Sequence, residues 1–186
     1  MPMDELSILR RAAAGDADAF ELLVLSHQEQ VYRLCLRMLT DPEDAQDAAQ
    51  ESFLKAWRSL PGFRFDSAFS TWLYRLTANI CLDMLRSRKR RATVPLTQTD
   101  ADGADFALSV PDPAATPEQA LLEKDTQTRL AAALARLDPE QRQLIALRVD
   151  AELSYERIAE LLGIKEGTVK SRLSRARERL RRLLEK

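Results

Sequence analysis

The sequence predicts an all-α fold of two small helical domains joined by a flexible acidic linker, and three observations predict it. Apolar residues recur at three- and four-residue steps through both halves of the chain, with no strand signal and no internal repeat. The stretch 94–117, VPLTQTDADGADFALSVPDPAATP, interrupts that periodicity with prolines, a glycine and aspartates and keeps no apolar face. Charge divides at the same places. Residues 1–93 carry 13 basic and 13 acidic side chains, 94–125 carry one basic and seven acidic, and 126–186 carry 14 basic and nine acidic. The net charge of −1 therefore conceals a neutral module, an acidic connector and a basic tail module. A basic end of this kind points to a polyanion as partner.

The elements follow in order. A short first helix covers 4–14. Phe20, Leu23, Val24, Val31, Leu34, Cys35 and Met38 mark one side of a long second helix. Asp41-Pro42 stops it and starts the next, with Pro42 suited to a first helical position. Ala45, Ala48, Ala49, Phe53, Ala56, Trp57 and Leu60 form that helix's stripe, and Pro61-Gly62 breaks it. A further helix runs from about Ala68 to Arg91, with Phe69, Trp72, Leu73, Leu76, Ile80 and Met84 inward, completing a bundle over 1–93. Beyond 94–117, periodicity resumes near Pro117 and continues through Leu137, and four shorter helices are expected to follow within 118–186.

The C-terminal segment LSYERIAELLGIKEGTVKSRLSRARERLRRLLEK reads as a helix-turn-helix. Ser154 is a good N-cap, Ile158, Ala159, Leu161 and Leu162 supply a buried side, and Gly163 ends the helix because it tolerates the left-handed conformation. A longer helix begins near Glu166 or Gly167. Val169, Leu173, Ala176, Leu180 and Leu183 make its docking stripe, while Thr168, Lys170, Ser171, Arg172, Ser174, Arg175 and Arg177 are left for a ligand, with Arg179, Arg181 and Arg182 nearby. A helix of this kind fits the DNA major groove, where arginine bonds a guanine edge in bidentate fashion and lysine and serine reach phosphates or bases. A solvated basic face on an ordinary hairpin would not account for helix, glycine turn and basic helix coinciding.

The second motif is LPGFRFDSAFSTWLYRLTANICLDMLRSRKRR. Phe63, Phe65, Phe69, Trp72 and Tyr74 alternate with Arg64 and Arg75 beside Ser67 and Ser70, and the segment ends in the basic run that includes Arg86, Arg88 and Lys89. Aromatics on a loop backed by arginines suit an unstacked single strand, and Asn79 is placed to hydrogen-bond an extruded base. Core packing competes for Phe69 and Trp72 more than for Phe63 and Phe65. The preceding helix carries Asp44, Asp47, Gln50, Glu51 and Lys55 away from its apolar stripe, either as a solvated face or as a protein-docking surface.

No catalytic constellation, cofactor motif or metal site can be assembled. His27 is the only histidine, and Cys35 and Cys81 lie on apolar stripes as small buried hydrophobes. The segment MPMDELSILRR lacks the apolar core of a signal peptide, and no run of about 18 apolar residues occurs, so a cytoplasmic protein without membrane insertion is expected.

The segments DAQDAAQESFLKAWRSL, FSTWLYRLTANICLD and LSYERIAELLGIKEGTVKSRLSRARERL together resemble, in order and over nearly the full chain, bacterial sigma factors of the extracytoplasmic-function (ECF) class in the sigma-70 family. The resemblance implies a sigma2-like bundle and a sigma4-like helix-turn-helix domain. It implies that Asp44, Asp47, Gln50, Glu51 and Lys55 grip the β′ clamp helices of core RNA polymerase and that the C-terminal domain meets the β flap. The loop from Phe63 to Ser70, with Asn79 behind it, would capture a flipped base of the −10 element, and the basic residues from Arg86 would hold the melted edge. Lys170, Ser171, Ser174 and Arg175 would read the −35 element of double-stranded promoter DNA. An arginine often stands at the place of Lys170 in relatives, and a bulkier residue at that of Ser174. The acidic linker would lie in the positive channel of polymerase and shield the basic tail module in its absence, and an anti-sigma factor is a further expected partner. A conventional helix-turn-helix regulator, dimeric and with a palindromic site, is the alternative.

Overall fold

The computed structural model describes residues 5–92 and 117–185. The expected flexible linker, and the shielding assigned to it, lie outside the described residues apart from Pro117, which opens a helix. Every element is helical: α1 (Glu5–Ala13), α2 (Ala17–Leu39), α3 (Pro42–Ser59), α4 (Phe69–Ala92), α5 (Pro117–Ala135), α6 (Pro139–Val149), α7 (Tyr155–Leu162) and α8 (Glu166–Leu184). Three helices follow α5, where four were expected.

Local chemistry sets the ends. Asp16 accepts a hydrogen bond from the Ala19 amide at 3.0 Å and caps α2, and Asp41 accepts from the Asp44 amide at 2.9 Å and caps α3. Pro42 sits in the first turn of α3 as expected. A single 3-10 turn at Leu60–Gly62 ends α3, and the Phe63 amide donates to the Leu60 carbonyl at 3.0 Å, folding the following loop back on the bundle.

In the N-terminal half α2 is the central helix, packed against α1, α3 and α4. Its Val31, Leu34, Cys35 and Met38 are fully buried. Cys81 of α4 is also buried, close enough to Cys35 that its thiol raises the Cys35 pKa well above the ordinary value. His27 lies beside the core, its ring 5.4 Å from that of Phe69. In the C-terminal half α8 packs against α5, α6 and α7.

The two halves also pack on each other, α2 against α6 and α4 against α6 and α7. At their contact Arg37 of α2 makes a bidentate ion pair with Asp150 at the end of α6, one limb measuring 2.8 Å. Arg142 of α6 donates to the Met38 carbonyl at 2.7 Å. Among the described residues no helix is long and apolar enough to cross a membrane.

Candidate nucleic-acid and polymerase interfaces

The helix-turn-helix is built as its sequence dictates. Ser154 accepts from the Arg157 amide at 3.2 Å to start α7. Gly163 takes φ 65°, where its N–H reaches back to the carbonyls of Ala159 and Glu160. Val169, Leu173 and Ala176 are essentially without exposure and fix the rotation of α8. Lys170, Ser171, Arg172, Ser174, Arg175 and Arg177 are consequently exposed, with Thr168 half-buried at the start of the row.

Several of these side chains are held in place. Lys170 pairs with Glu166 at 2.6 Å, one turn back, and its Nζ stands 5.7 Å from the centre of the Tyr155 ring. Donating a hydrogen bond to the Glu166 carboxylate raises the Lys170 pKa. Arg175 folds onto the Ser171 carbonyl at 3.3 Å. Arg172 stands apart from the rest: it turns towards Glu140 at 3.5 Å and lines the cleft between the halves.

The second motif is only partly available to a ligand. Phe63, Phe69 and Tyr74 are buried, at 7%, 2% and 5% exposure, so their expected stacking role is corrected to a core role. The 3-10 turn swings Phe63 inward, and Phe69 and Tyr74 fall on the bundle side of α4. Trp72 is half-buried, its ring 5.2 Å from Phe63 and 5.7 Å from Phe69. What the loop presents is Phe65, 42% exposed, edge-on to Phe63 at 5.1 Å, with exposed Arg64 and Arg75 and half-buried Ser67 and Ser70. Phe65 takes φ 59°, a left-handed conformation that is uncommon for a bulky residue. Arg64, Ser67, Trp72 and Arg75 share the lining of a cleft of about 510 Å³. Asn79 is not in it. It is exposed one turn beyond Arg75 and lines a second cleft of about 750 Å³ with Arg86 and Lys89.

On α3, Asp47, Gln50, Glu51 and Lys55 are exposed as expected. Asp44 is not: it is half-buried and forms an ion pair with Arg88 of α4. Both residues were expected to face separate macromolecules, and instead they face each other, because Asp44 adjoins buried Ala45 on the flank turned to α4. Sequence reasoning also missed an apolar groove of about 450 Å³ beside Gln50, formed by Phe20, Val24, Phe53, Leu54 and Trp57. Exposed Leu54, off the buried stripe of α3, was the available signal. Among the described residues no group of three His, Cys, Asp or Glu could hold a metal ion.

Residues 23–91 match the family model for sigma-70 region 2, and residues 127–180 match that for sigma-70 region 4. The chain belongs to the sigma-70 family. Within it the ECF class is shown by relatives along nearly the whole sequence. The ECF RNA polymerase sigma factor SigW of Bacillus subtilis is 32% identical over 176 residues, covering 95% of this chain and 94% of that one. The RNA polymerase sigma-H factor of Pseudomonas aeruginosa is 38% identical over 183 residues, covering 96% and 92%. Among solved structures, CnrH in complex with the cytosolic domain of CnrY matches with a TM-score of 0.69 at 26% identity, over 98% of this sigma factor and 97% of that chain. The sigma factor RpoE bound to the anti-sigma factor NepR, from Bartonella quintana, matches with a TM-score of 0.65 at 26% identity, over 89% and 96%. The region 2 match covers α3, the aromatic loop and nearly all of α4, and the region 4 match contains the helix-turn-helix. These relatives do not support the alternative of a conventional regulator.

Proposed function

We propose that this sigma factor binds core RNA polymerase and directs it to promoters, with residues 1–93 engaging polymerase and the −10 element, 94–117 connecting, and 118–186 reading the −35 element. The observation that carries the reading is the face of α8. Val169, Leu173 and Ala176 on its apolar side are buried, and the opposite side presents Lys170, Ser171, Ser174, Arg175 and Arg177 as one exposed basic row suited to a major groove.

On the N-terminal half, Phe65 with Arg64 and Arg75 offers one stacking ring and two cations to an unpaired strand, and Trp72 offers a ring edge. Asn79, Arg86 and Lys89 extend that track along α4. Asp47, Gln50, Glu51 and Lys55 form the docking face for the β′ clamp helices, and the C-terminal domain meets the β flap. The work is binding, not catalysis. Contacts made only with unpaired bases shift the duplex–bubble equilibrium towards the open state. Unstacking costs a few kcal/mol, and an aromatic platform returns roughly 1–3 kcal/mol per base. The protein acts in the cytoplasm, and an anti-sigma factor of the kind named for the RpoE complex restrains it.

Run-off transcription with purified core polymerase on a promoter library tests the proposal. Transcripts dependent on this protein and sharing paired upstream elements support it. No stimulation, together with tight duplex binding by the free protein, would replace it with a regulator acting alone.

A further inference from the structure

We infer that Glu166 is a specificity-determining residue of α8, and that its carboxylate together with the Lys170 ammonium reads one G·C base pair in one orientation. The inference rests on the proposed reading of duplex by α8 and adds to it a residue and a base preference.

Glu166 opens α8 directly after its N-cap, Lys165. The first residues of a recognition helix are those that reach base edges. Its Oε1 stands 2.6 Å from Lys170 Nζ, one turn on, with side-chain exposures of 47% and 57%. An exposed ion pair of this kind contributes little to stability, so holding the fold together does not account for it. Lys170 is also steadied by a second contact. Its Nζ is 5.7 Å from the centre of the Tyr155 ring, and Arg148 covers that ring at 5.1 Å while donating to the Leu153 carbonyl at 2.9 Å. Gly167 follows Glu166. A Cβ there would meet nothing within 4 Å, so packing does not demand glycine, and the bare backbone lets the start of the helix sit close to a groove floor.

The two side chains set an acceptor beside a donor, and base chemistry says what they complement. Within a G·C pair the cytosine N4 amino group donates to guanine O6, so the two atoms lie about 2.9 Å apart in the major groove. That spacing matches the 2.6 Å between the side chains. Lys170 then donates to guanine, whose O6 and N7 both accept, and Glu166 accepts from N4. The reversed base pair sets the carboxylate against O6 and N7 and is repelled. On an A·T pair the N6 amino group lies between two acceptors, N7 and O4, so the carboxylate meets repulsion on either side. Glu166 thus works as much by rejecting the other base pairs as by bonding the right one.

Run-off transcription by core polymerase with the full chain, on promoters whose upstream element is randomised, tests this. The wild type should require G·C, in one orientation, at one position of that element, by roughly tenfold or more over the other base pairs. Glu166→Ala should lose most of that requirement and keep the preferences at every other position. Glu166→Gln, whose amide both donates and accepts, should admit the reversed base pair. Lys170→Ala should relax the same position, and the double variant should lose less there than the two single losses combined, because both groups read one base pair. Unchanged preferences in Glu166→Ala, or activity lowered equally on every sequence, would overturn the inference, while the surviving upstream preferences uphold the reading by α8. Relaxation at a position that is not G·C in the wild type likewise overturns it. A wild type with no upstream preference at all overturns the reading by α8 and the inference with it.

Discussion

Phe65 carries two demands at once, and substituting it should separate them. Its backbone sits at φ 59° and its ring is 42% exposed, edge-on to Phe63 at 5.1 Å. The left-handed conformation costs a side-chain-bearing residue about 1–2 kcal/mol. The ring contact returns about 0.5–1.5 kcal/mol. Phe65→Ala loses the contact and keeps the strain, so the N-terminal half should lose about 1 kcal/mol of stability. Phe65→Gly loses the contact and relieves the strain, while the freer unfolded chain offsets about 0.4–1 kcal/mol of that gain. Its stability should therefore equal or exceed that of the alanine variant. For a half of this size each kcal/mol is about 4–8 °C in Tm. Function should not follow the same order. Both variants lack the stacking ring, so both should weaken open-complex formation by about 1–3 kcal/mol, roughly 5- to 150-fold. Thermal melts paired with permanganate footprinting of the melted −10 region read the two effects separately. Wild-type open-complex yield in both variants would refute the stacking role, and an alanine variant clearly more stable than the glycine variant would refute the strain.

Three further outcomes are expected. Leu73→Ala removes a fully buried side chain from the N-terminal core and should cost about 2–5 kcal/mol in urea denaturation; a loss well under 1 kcal/mol would mean that the site is not packed. Gly163→Ala places a side chain at φ 65°, with nothing within 4 Å to clash, so the cost should be conformational alone, about 1–2 kcal/mol, read as a lower melting temperature of the helix-turn-helix with weakened duplex binding. Burial lowers the His27 pKa below its ordinary 6.5, against the pull of Glu5. The unfolded chain therefore binds the extra proton first, so stability is fully present above pH 6.5 and falls as pH drops through the unfolded value towards the folded one. His27→Gln should flatten that slope, and an NMR titration placing the His27 pKa above 6.5 would contradict the assignment.

The local plan was legible because local signals set it. Periodicity gave the inward faces of α2 and α8, Asp41-Pro42 marked the α2–α3 junction, and Gly163 marked the turn. The C-terminal site was legible for the same reason: once Val169, Leu173 and Ala176 face inward, the basic row must face outward. The N-terminal site was not, because burial of Phe63 depends on how a 3-10 turn folds a loop back, which has no period. The pairing of Asp44 with Arg88 and of Arg37 with Asp150 joins residues far apart in sequence, which helical spacing does not address.

The bond from Arg142 to the Met38 carbonyl has a consequence for where cooperative units begin and end. Met38 lies in the last turn of α2, where carbonyls lack helical partners and a cation is favoured. Thr40 closes that turn in a left-handed conformation at φ 60°, and Asp41 then caps α3. One helix end in the N-terminal half is thus completed by a guanidinium from the other half, more than a hundred residues later in the chain. The unit that frays together is consequently not either domain but the corner from Arg37 to Pro42 with its visiting arginine. Amide exchange in that corner should track the contact between the halves, and because the corner anchors the start of α3, loosening that contact should also loosen the first turn of α3.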